Sequence, residues 1–185
     1  MSRLVIAFLA LFTFSAAAGA TEAGWALLRD GGHVVLLRHA NAPGTGDPSN
    51  FDIGNCATQR NLSDRGRQQA RRIGALFAAR AAPVEQVLTS NYCRCAETAR
   101  LAFGDRVTSA DERLDFLPGD DEGNEEKAGA LVEFIRGYTD SANLVMVVNE
   151  TVAEKLLGVT PREAEALIVS RGGEKLSVVG RIRFN

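Results

Sequence analysis

The stretch His33–Ala40, HVVLLRHA, decides the fold of this chain. Its unbroken aliphatic run predicts a short strand buried on both faces, which is typical of a parallel sheet covered by helices. Arg38 and His39 stand at the end of this run. Because ligands of such sheets bind beyond the carboxyl ends of the strands, we expect these two side chains at a functional edge.

Two further stretches predict short strands, of which the second is an aliphatic run, and apolar residues at helical spacing predict helices between them. The predicted strands are His33–Arg38, Val84–Thr89 and Asn143–Val148. The predicted helices are residues 21–32, a helix capped by Ser63, Tyr92–Phe103, Glu125–Tyr138, Thr151–Leu157 and a short segment from Pro161. Two last runs, Ala166–Val169 and Leu176–Phe184, predict a hairpin.

This alternation of strands and helices predicts an α/β protein. We expect a three-layer α/β/α architecture with a mainly parallel central sheet and a C-terminal β-hairpin. Residues 40–61 and 105–123 are polar and carry glycines and prolines, which predicts irregular loops. With no internal repeat and no linker, residues 21–185 are expected to form one domain.

The first twenty residues have the pattern of a signal peptide. Arg3 provides the positive charge, Leu4–Phe14 is an apolar run too short to span a bilayer comfortably, and Ala18–Ala20 is a small-residue cleavage site. We expect cleavage after Ala20 and a periplasmic or secreted mature protein without stable membrane insertion. A retained N-terminal anchor is the alternative.

Composition indicates a folded globular protein and argues against a nucleic-acid partner. Hydrophobic residues make up 45% of the chain and charged residues 24%. The formal net charge is only -2, and no basic run suggests a stripe that follows a phosphate backbone.

The chain has three cysteines, Cys56, Cys93 and Cys95, so at least one thiol stays unpaired within the chain. Positions two apart on a helix do not face each other, which disfavours a bond between Cys93 and Cys95. We therefore expect Cys56 to bond with one of them, since an oxidising compartment allows a disulfide to persist. A zinc site is the other interpretation, but it lacks a convincing fourth ligand.

His39 and two arginines suit phosphate chemistry. A backbone carbonyl can hold one ring nitrogen of a histidine at a strand end, which leaves the other free to attack phosphorus. Arg38 offers a planar fork of donors, and Arg94 lies in the first turn of a predicted helix, where an anion is favoured. Each of these residues alone also has an ordinary structural explanation: the histidine as a hydrogen-bonded polar side chain, and the arginine as a residue on the surface.

Taken together, these segments resemble the histidine phosphatase (phosphoglycerate mutase-like) superfamily. RHA follows the first strand, LSDRGRQQA occupies residues 62–70, and S-x-x-x-R-x-x-x-T-A begins at Ser90 after the second strand. The stretch CATQRNL at residues 56–62 is similar to small exported bacterial members. The resemblance extends from about His33 to the final hairpin.

The resemblance implies a metal-independent phosphatase that needs no cofactor. His39 corresponds to the histidine that is transiently phosphorylated, and Arg38 and Arg94 to the arginines that bind the phosphoryl group. Arg60 is a further candidate for substrate binding, with an ordinary solvent-facing arginine as the alternative. The proton donor is expected among Asp115, Asp120, Asp121 and Glu122, and Asp115 is favoured because it closely follows Leu114.

One position departs from the family pattern. Members end the third strand with a second histidine, where this chain has Asn149, and the only other histidine, His33, lies at the opposite edge of the sheet. An amide donates a neutral hydrogen bond but carries no charge. Two hypotheses follow: a weakened phosphomonoester hydrolase, or a catalytically impaired relative that binds a phosphorylated ligand. A third hypothesis is a structural protein that uses the fold only as a scaffold, but it does not explain the arginine pocket.

The expected partner is a phosphorylated small molecule. Some exported relatives act on phosphorylated sugars of the bacterial envelope, which makes a sugar phosphate the first candidate. Residues 41–60 and 105–125 are expected to set specificity.

Overall fold

The computed structural model describes residues 15–105 and 108–184. Its helices and strands, in chain order, are α1 Ser15–Asp30, β1 Val34–Arg38, α2 Asp64–Ala79, β2 Val84–Thr89, α3 Cys93–Phe103, β3 Thr108–Ala110, α4 Asp121–Gly137, β4 Asn143–Val148, α5 Glu150–Leu157, β5 Glu165–Ser170 and β6 Ser177–Arg183. Two short 3-10 turns lie at Cys56–Thr58 and Glu112–Leu114.

The strands form one six-stranded mixed sheet in the order β3-β2-β4-β1-β5-β6. The pairs β1–β4, β2–β4 and β2–β3 are parallel, so the carboxyl ends of these four strands meet at one edge. Strand β5 runs antiparallel to β1 and pairs with β6, which confirms the predicted C-terminal hairpin. The predicted α/β architecture is therefore confirmed.

Alternating side chains of the strands pack into two cores, one on each face of the sheet. Val35 and Leu37 of β1 face a core shared with α1, α2 and α3. Val34 and Leu36 face the opposite core, which α4 and α5 cover. Because successive residues of a strand point to opposite faces, the aliphatic run of β1 contributes to both helix layers.

Two local predictions were wrong. Residues 105–123 are not wholly irregular, because β3 and the start of α4 lie there. Strand β3 is only three residues long, Thr-Ser-Ala, and carries no apolar alternation by which it could be recognised. No helix begins at Pro161; the chain turns there, and the Pro161 carbonyl accepts a hydrogen bond from Arg38 instead.

The predicted signal peptide falls mostly outside the described residues, which begin within it at the start of α1. Among the residues that the structure describes, no helix combines the length and the apolar character needed to cross a membrane.

Candidate functional site

His39 lies directly after β1 and is fully buried. Its Nδ1 is 2.8 Å from the carbonyl oxygen of Ala40, so Nδ1 carries the proton and donates, and Nε2 keeps its lone pair. Burial, reinforced by three neighbouring arginines, lowers the pKa of His39 to about 3. His39 is therefore a neutral imidazole at physiological pH, with Nε2 as a potential nucleophile.

This lowered pKa predicts a loss of stability in acid. Between pH 6.5 and about 3, the folded protein keeps His39 neutral while the unfolded chain protonates it. The unfolded state then binds one more proton, so the free energy of unfolding falls as pH falls, by about 1.4 kcal/mol per pH unit. Denaturant unfolding of the parent and His39→Gln across this range should show a steeper acid decline for the parent. An equal pH dependence of the free energy of unfolding in the two proteins would contradict the lowered pKa of His39.

Arg38 contacts a carboxylate that spacing did not single out. Its Nη1 donates to the Pro161 carbonyl at 2.8 Å, and its Nη2 is 3.1 Å from Oε2 of Glu150. The same Glu150 oxygen is 3.9 Å from Nε2 of His39. Glu150 is the first residue of α5, so the carboxyl end of β4 places a carboxylate beside the potential nucleophile.

Arg94 lies in the first turn of α3 and is almost completely buried. Its Nε donates to Oδ1 of Asn149 at 2.8 Å. Its Nη1 and Nη2 donate to the two carboxylate oxygens of Asp47 at 2.8 and 3.2 Å, as a bidentate ion pair. Asp47 belongs to the long loop after β1, and its side chain is only 8% exposed.

Arg60 comes from the same long loop. Its Nη1 donates to the carbonyls of Ala42 and Gly44, and its backbone N–H donates to Asp47. Burial and the charge of Arg94 lower the pKa of its guanidinium group. The structure thus brings Arg38, Arg60 and Arg94 together around His39.

Asn149 follows β4 and occupies the N-cap position of α5, but its side chain makes no hydrogen bond to the first turn of that helix. Its Oδ1 accepts from Arg94 and, at 3.7 Å, from the thiol of Cys95. No acceptor for its Nδ2 is found among the described residues, and Asn149 lines the cavity described below. One neutral donor is therefore available toward a ligand.

Four buried polar side-chain atoms have no hydrogen-bond partner among the described residues, and all four lie at this site. They are Nε of Arg38, Nε2 of His39, Nε of Arg60 and Oε2 of Glu150. The Glu150 oxygen is within ion-pair distance of Arg38 but is not aligned for a hydrogen bond. Because buried polar groups are nearly always paired, this concentration points to a site built for a polar ligand.

A cavity of about 340 Å³ opens above these residues. Its lining includes Arg60, Arg94, Asn149 and Glu150 on the side of the arginines, and it includes apolar residues around Phe116. His39 does not line it, because the imidazole is fully buried. A ligand that reaches Nε2 must therefore displace side chains around it, and Oε2 of Glu150 is 3.9 Å from this nitrogen.

Asp115 is not among the residues that line this cavity and is 6% exposed. Its carboxylate accepts hydrogen bonds from the Ser90 hydroxyl and from the backbone and side-chain amides of Asn91, each at 2.7 Å. These contacts fasten the segment that leads into α3. Of the other acidic candidates, Asp120 caps α4, whereas Asp121 is exposed at the cavity rim.

Residues of the LSDRG motif connect the start of α2 to the loop after β1 by hydrogen bonds. Ser63 caps α2 by accepting from Gly66 N–H at 3.0 Å and donates to the side chain of Asn41 at 2.6 Å. A Cβ at position 66 would stand 2.1 Å from the Asn41 carbonyl oxygen, so only glycine permits this approach.

Cys56 and Cys93 form a disulfide, and Cys95 is a free, buried thiol. Burial raises the pKa of Cys95 to about 12, which keeps it protonated. The disulfide joins the long loop to the first residue of α3, next to Arg94. In the described residues no cluster of three or more His, Cys, Asp or Glu side chains is arranged to hold a metal ion.

Sequence reasoning missed two residues of this site, Glu150 and Asp47. Glu150 had a usable signal, since it follows Asn149 at the carboxyl end of a buried strand. Asp47 lies in the middle of an irregular loop, where no spacing rule applies.

Comparison with known proteins identifies the fold. Three solved structures share the fold: a protein histidine phosphatase SixA complexed with tungstate, YhfR from Bacillus stearothermophilus, and a phosphoserine phosphatase from Entamoeba histolytica in complex with 3-phosphoglyceric acid. Their identities to this chain are 16%, 18% and 13%, with TM-scores of 0.56, 0.57 and 0.58. The matches cover 82%, 80% and 81% of this chain and 96%, 95% and 96% of theirs.

At these identities the likeness is one of fold, and no curated protein sequence matches the chain. The family model described as histidine phosphatase superfamily (branch 1) matches residues 34–129, just over half of the chain, including His39 and Arg94. Asn149 lies beyond the matched range. The chain therefore belongs to branch 1 of the histidine phosphatase superfamily.

Proposed function

We propose that this protein is a phosphomonoester hydrolase that works through a phosphohistidine at His39. The observation that carries the proposal is the neutral, fully buried imidazole with an unpartnered Nε2 inside a group of three arginines. Guanidinium groups bind phosphoryl oxygens through two parallel hydrogen bonds, and they stabilise the charge of the transition state. Tungstate, which a SixA structure contains, is a tetrahedral oxyanion like phosphate.

In the first step, Nε2 of His39 attacks phosphorus and forms a P–N bond. The bond between phosphorus and the ester oxygen breaks, and its electron pair leaves with that oxygen. The Ala40 carbonyl holds Nδ1–H and so stabilises the positive charge that develops on the ring. In the second step, water supplies a hydroxyl to phosphorus, the P–N bond breaks toward Nε2, and inorganic phosphate leaves.

We assign the proton transfers to Glu150 rather than Asp115. Oε2 of Glu150 is buried at 3.9 Å from Nε2, whereas the side chain as a whole lines the cavity and is 30% exposed, so the carboxyl group lies between the potential nucleophile and the cavity. In its protonated form it gives a proton to the leaving oxygen in the first step, and the resulting carboxylate takes a proton from water in the second, which restores the acid. The Asp115 carboxylate already accepts hydrogen bonds from Ser90 and Asn91, and Asp115 does not line the cavity.

A second candidate function is binding of a phosphorylated ligand with little turnover, and Asn149 is the observation that favours it. A hydrogen bond from a charged donor contributes about 1.5–3 kcal/mol, against about 1 kcal/mol for a neutral one. The difference of about 0.5–2 kcal/mol corresponds to about 2- to 30-fold in rate, so replacing the family histidine by an amide costs on the order of ten-fold.

Turnover of 4-nitrophenyl phosphate by the parent and Asn149→His separates the two candidates. For a weakened hydrolase, we expect measurable parent activity and a gain of about ten-fold in Asn149→His, because a charged donor then faces the phosphoryl group. Asn149→Ala is the matched control and should be slower than the parent. An inert parent with an active Asn149→His would instead indicate an impaired binding protein, and inertness of both would overturn the hydrolase proposal.

We also propose that the protein acts outside the cytoplasm on a phosphorylated small molecule, with an envelope sugar phosphate as the first class to test. The Cys56–Cys93 disulfide supports the location, since such bonds persist mainly in oxidising compartments.

A further inference from the structure

We infer that Asp47 competes with the substrate for Arg94, and so sets the affinity of this site for phosphoryl groups. The inference rests on the proposed function only in taking Arg94 as a phosphate ligand.

The contacts of Arg94 leave little room for a second anion. A guanidinium side chain has five N–H donors. Within the described residues, one of them reaches Asn149, two reach the carboxylate of Asp47, and the Arg60 carbonyl is 3.4 Å from Nη1. A phosphoryl group can form a two-point contact with Nη1 and Nη2 of Arg94 only if the Asp47 carboxylate leaves.

The Asp47 carboxylate accepts hydrogen bonds of the kind that a bound anion would accept at this place. Besides Arg94, its Oδ1 accepts the backbone N–H of Arg60 at 2.9 Å. Its side chain is 8% exposed and that of Arg94 is 5% exposed, so water screens this pair poorly. Displacing the carboxylate therefore removes a strong interaction, which the incoming phosphoryl group must replace.

The loop around Asp47 has space for this movement. Gly44 and Gly46 adopt φ angles of +103° and +72°, and no heavy atom approaches within 4 Å of a Cβ placed on Gly46. Gly46 and Asp47 also line a neighbouring cleft of about 750 Å³, whose wall includes Phe51 and Leu117. Arg94 already lines the phosphate cavity, so a rotation of Asp47 toward this cleft frees the N–H groups of Nη1 and Nη2 for a ligand there.

A positioning role for Asp47 makes the opposite prediction. If the carboxylate only orients Arg94 while phosphate binds elsewhere on the guanidinium, its removal loosens the arginine and weakens phosphate binding. If it competes, its removal strengthens phosphate binding. The direction of the change therefore separates the two roles.

Calorimetric titration of inorganic phosphate into the full protein and Asp47→Asn provides the test. The asparagine keeps an acceptor for the Arg60 N–H but removes the charge. We expect Asp47→Asn to bind phosphate at least about ten-fold more tightly, because the competing charge-assisted hydrogen bonds are lost. Asp121→Asn, which removes one negative charge from the same cavity without touching Arg94, is the matched control and should change affinity less than about three-fold.

Unchanged or weaker phosphate binding by Asp47→Asn would overturn the inference, as would an equal gain in Asp121→Asn. If Asp47→Asn does not fold, Asp47→Ala takes its place with the same criterion. Because binding is measured without turnover, tighter binding in a catalytically inert protein would sustain this inference while contradicting the hydrolase proposal.

Discussion

His39→Ala is expected to abolish hydrolysis of 4-nitrophenyl phosphate, with a loss of at least about 10⁴-fold in kcat. The variant removes Nε2, for which no other side chain of this site can substitute. The reaction should also leave no acid-labile phosphate on the variant, whereas the parent, quenched during turnover, should carry phosphate on nitrogen. Both results follow from covalent catalysis at this atom.

His33→Ala is the matched control, because His33 is the only other histidine of the chain. It precedes β1 and therefore lies at the opposite edge of the sheet from His39. We expect parent-like turnover from this variant. A His39→Ala protein that folds, as judged by its denaturant unfolding curve, and keeps more than about a hundredth of the parental rate would rule out phosphohistidine catalysis.

Glu150→Gln is expected to slow the release of poor leaving groups far more than that of good ones. An alkoxide needs a proton as it departs, and loss of a general acid costs about 10²–10⁴-fold. A nitrophenolate is stable without a proton, so the same variant should lose less than about ten-fold on 4-nitrophenyl phosphate. The quantity to compare is kcat/KM, which covers the steps up to departure of the leaving group and is unaffected by later hydrolysis of the phosphoenzyme.

Asp115→Asn is the control for this comparison. Its carboxylate holds Ser90 and Asn91, so the substitution should lower the free energy of unfolding and reduce kcat/KM for glycerol phosphate and 4-nitrophenyl phosphate by similar factors. If Asp115→Asn shows the leaving-group dependence and Glu150→Gln does not, Asp115 is the proton donor.

The fold was predictable because its decisive signals are local. The run Asn143–Val148 coincides with β4, since a strand buried on both faces needs apolar side chains at nearly every position. The predicted strand Val84–Thr89 coincides with β2, of which only the last three residues are buried. Strand β3 was not predictable, because a three-residue edge strand is held by pairing with β2 rather than by burial of its own side chains.

Part of the site was predictable for a topological reason. Parallel strands end at the same edge, so His39 after β1, Arg94 after β2 and Asn149 after β4 were expected to lie together. The resemblance to a known family added the role of each residue. The choice of Cys93 over Cys95 as partner of Cys56 required the structure, because only the path of the long loop decides which sulfur it meets.

The sequence by itself determined the layered α/β architecture, the edge that carries the site and the identity of its histidine and arginines. These features depend on side-chain periodicity and on the ends of buried strands, which are properties of short segments. Only the tertiary structure placed the Glu150 carboxylate 3.9 Å from Nε2 and the Asp47 carboxylate on Arg94. Those contacts join residues far apart in the chain, and their geometry depends on how loops and helices pack over the sheet.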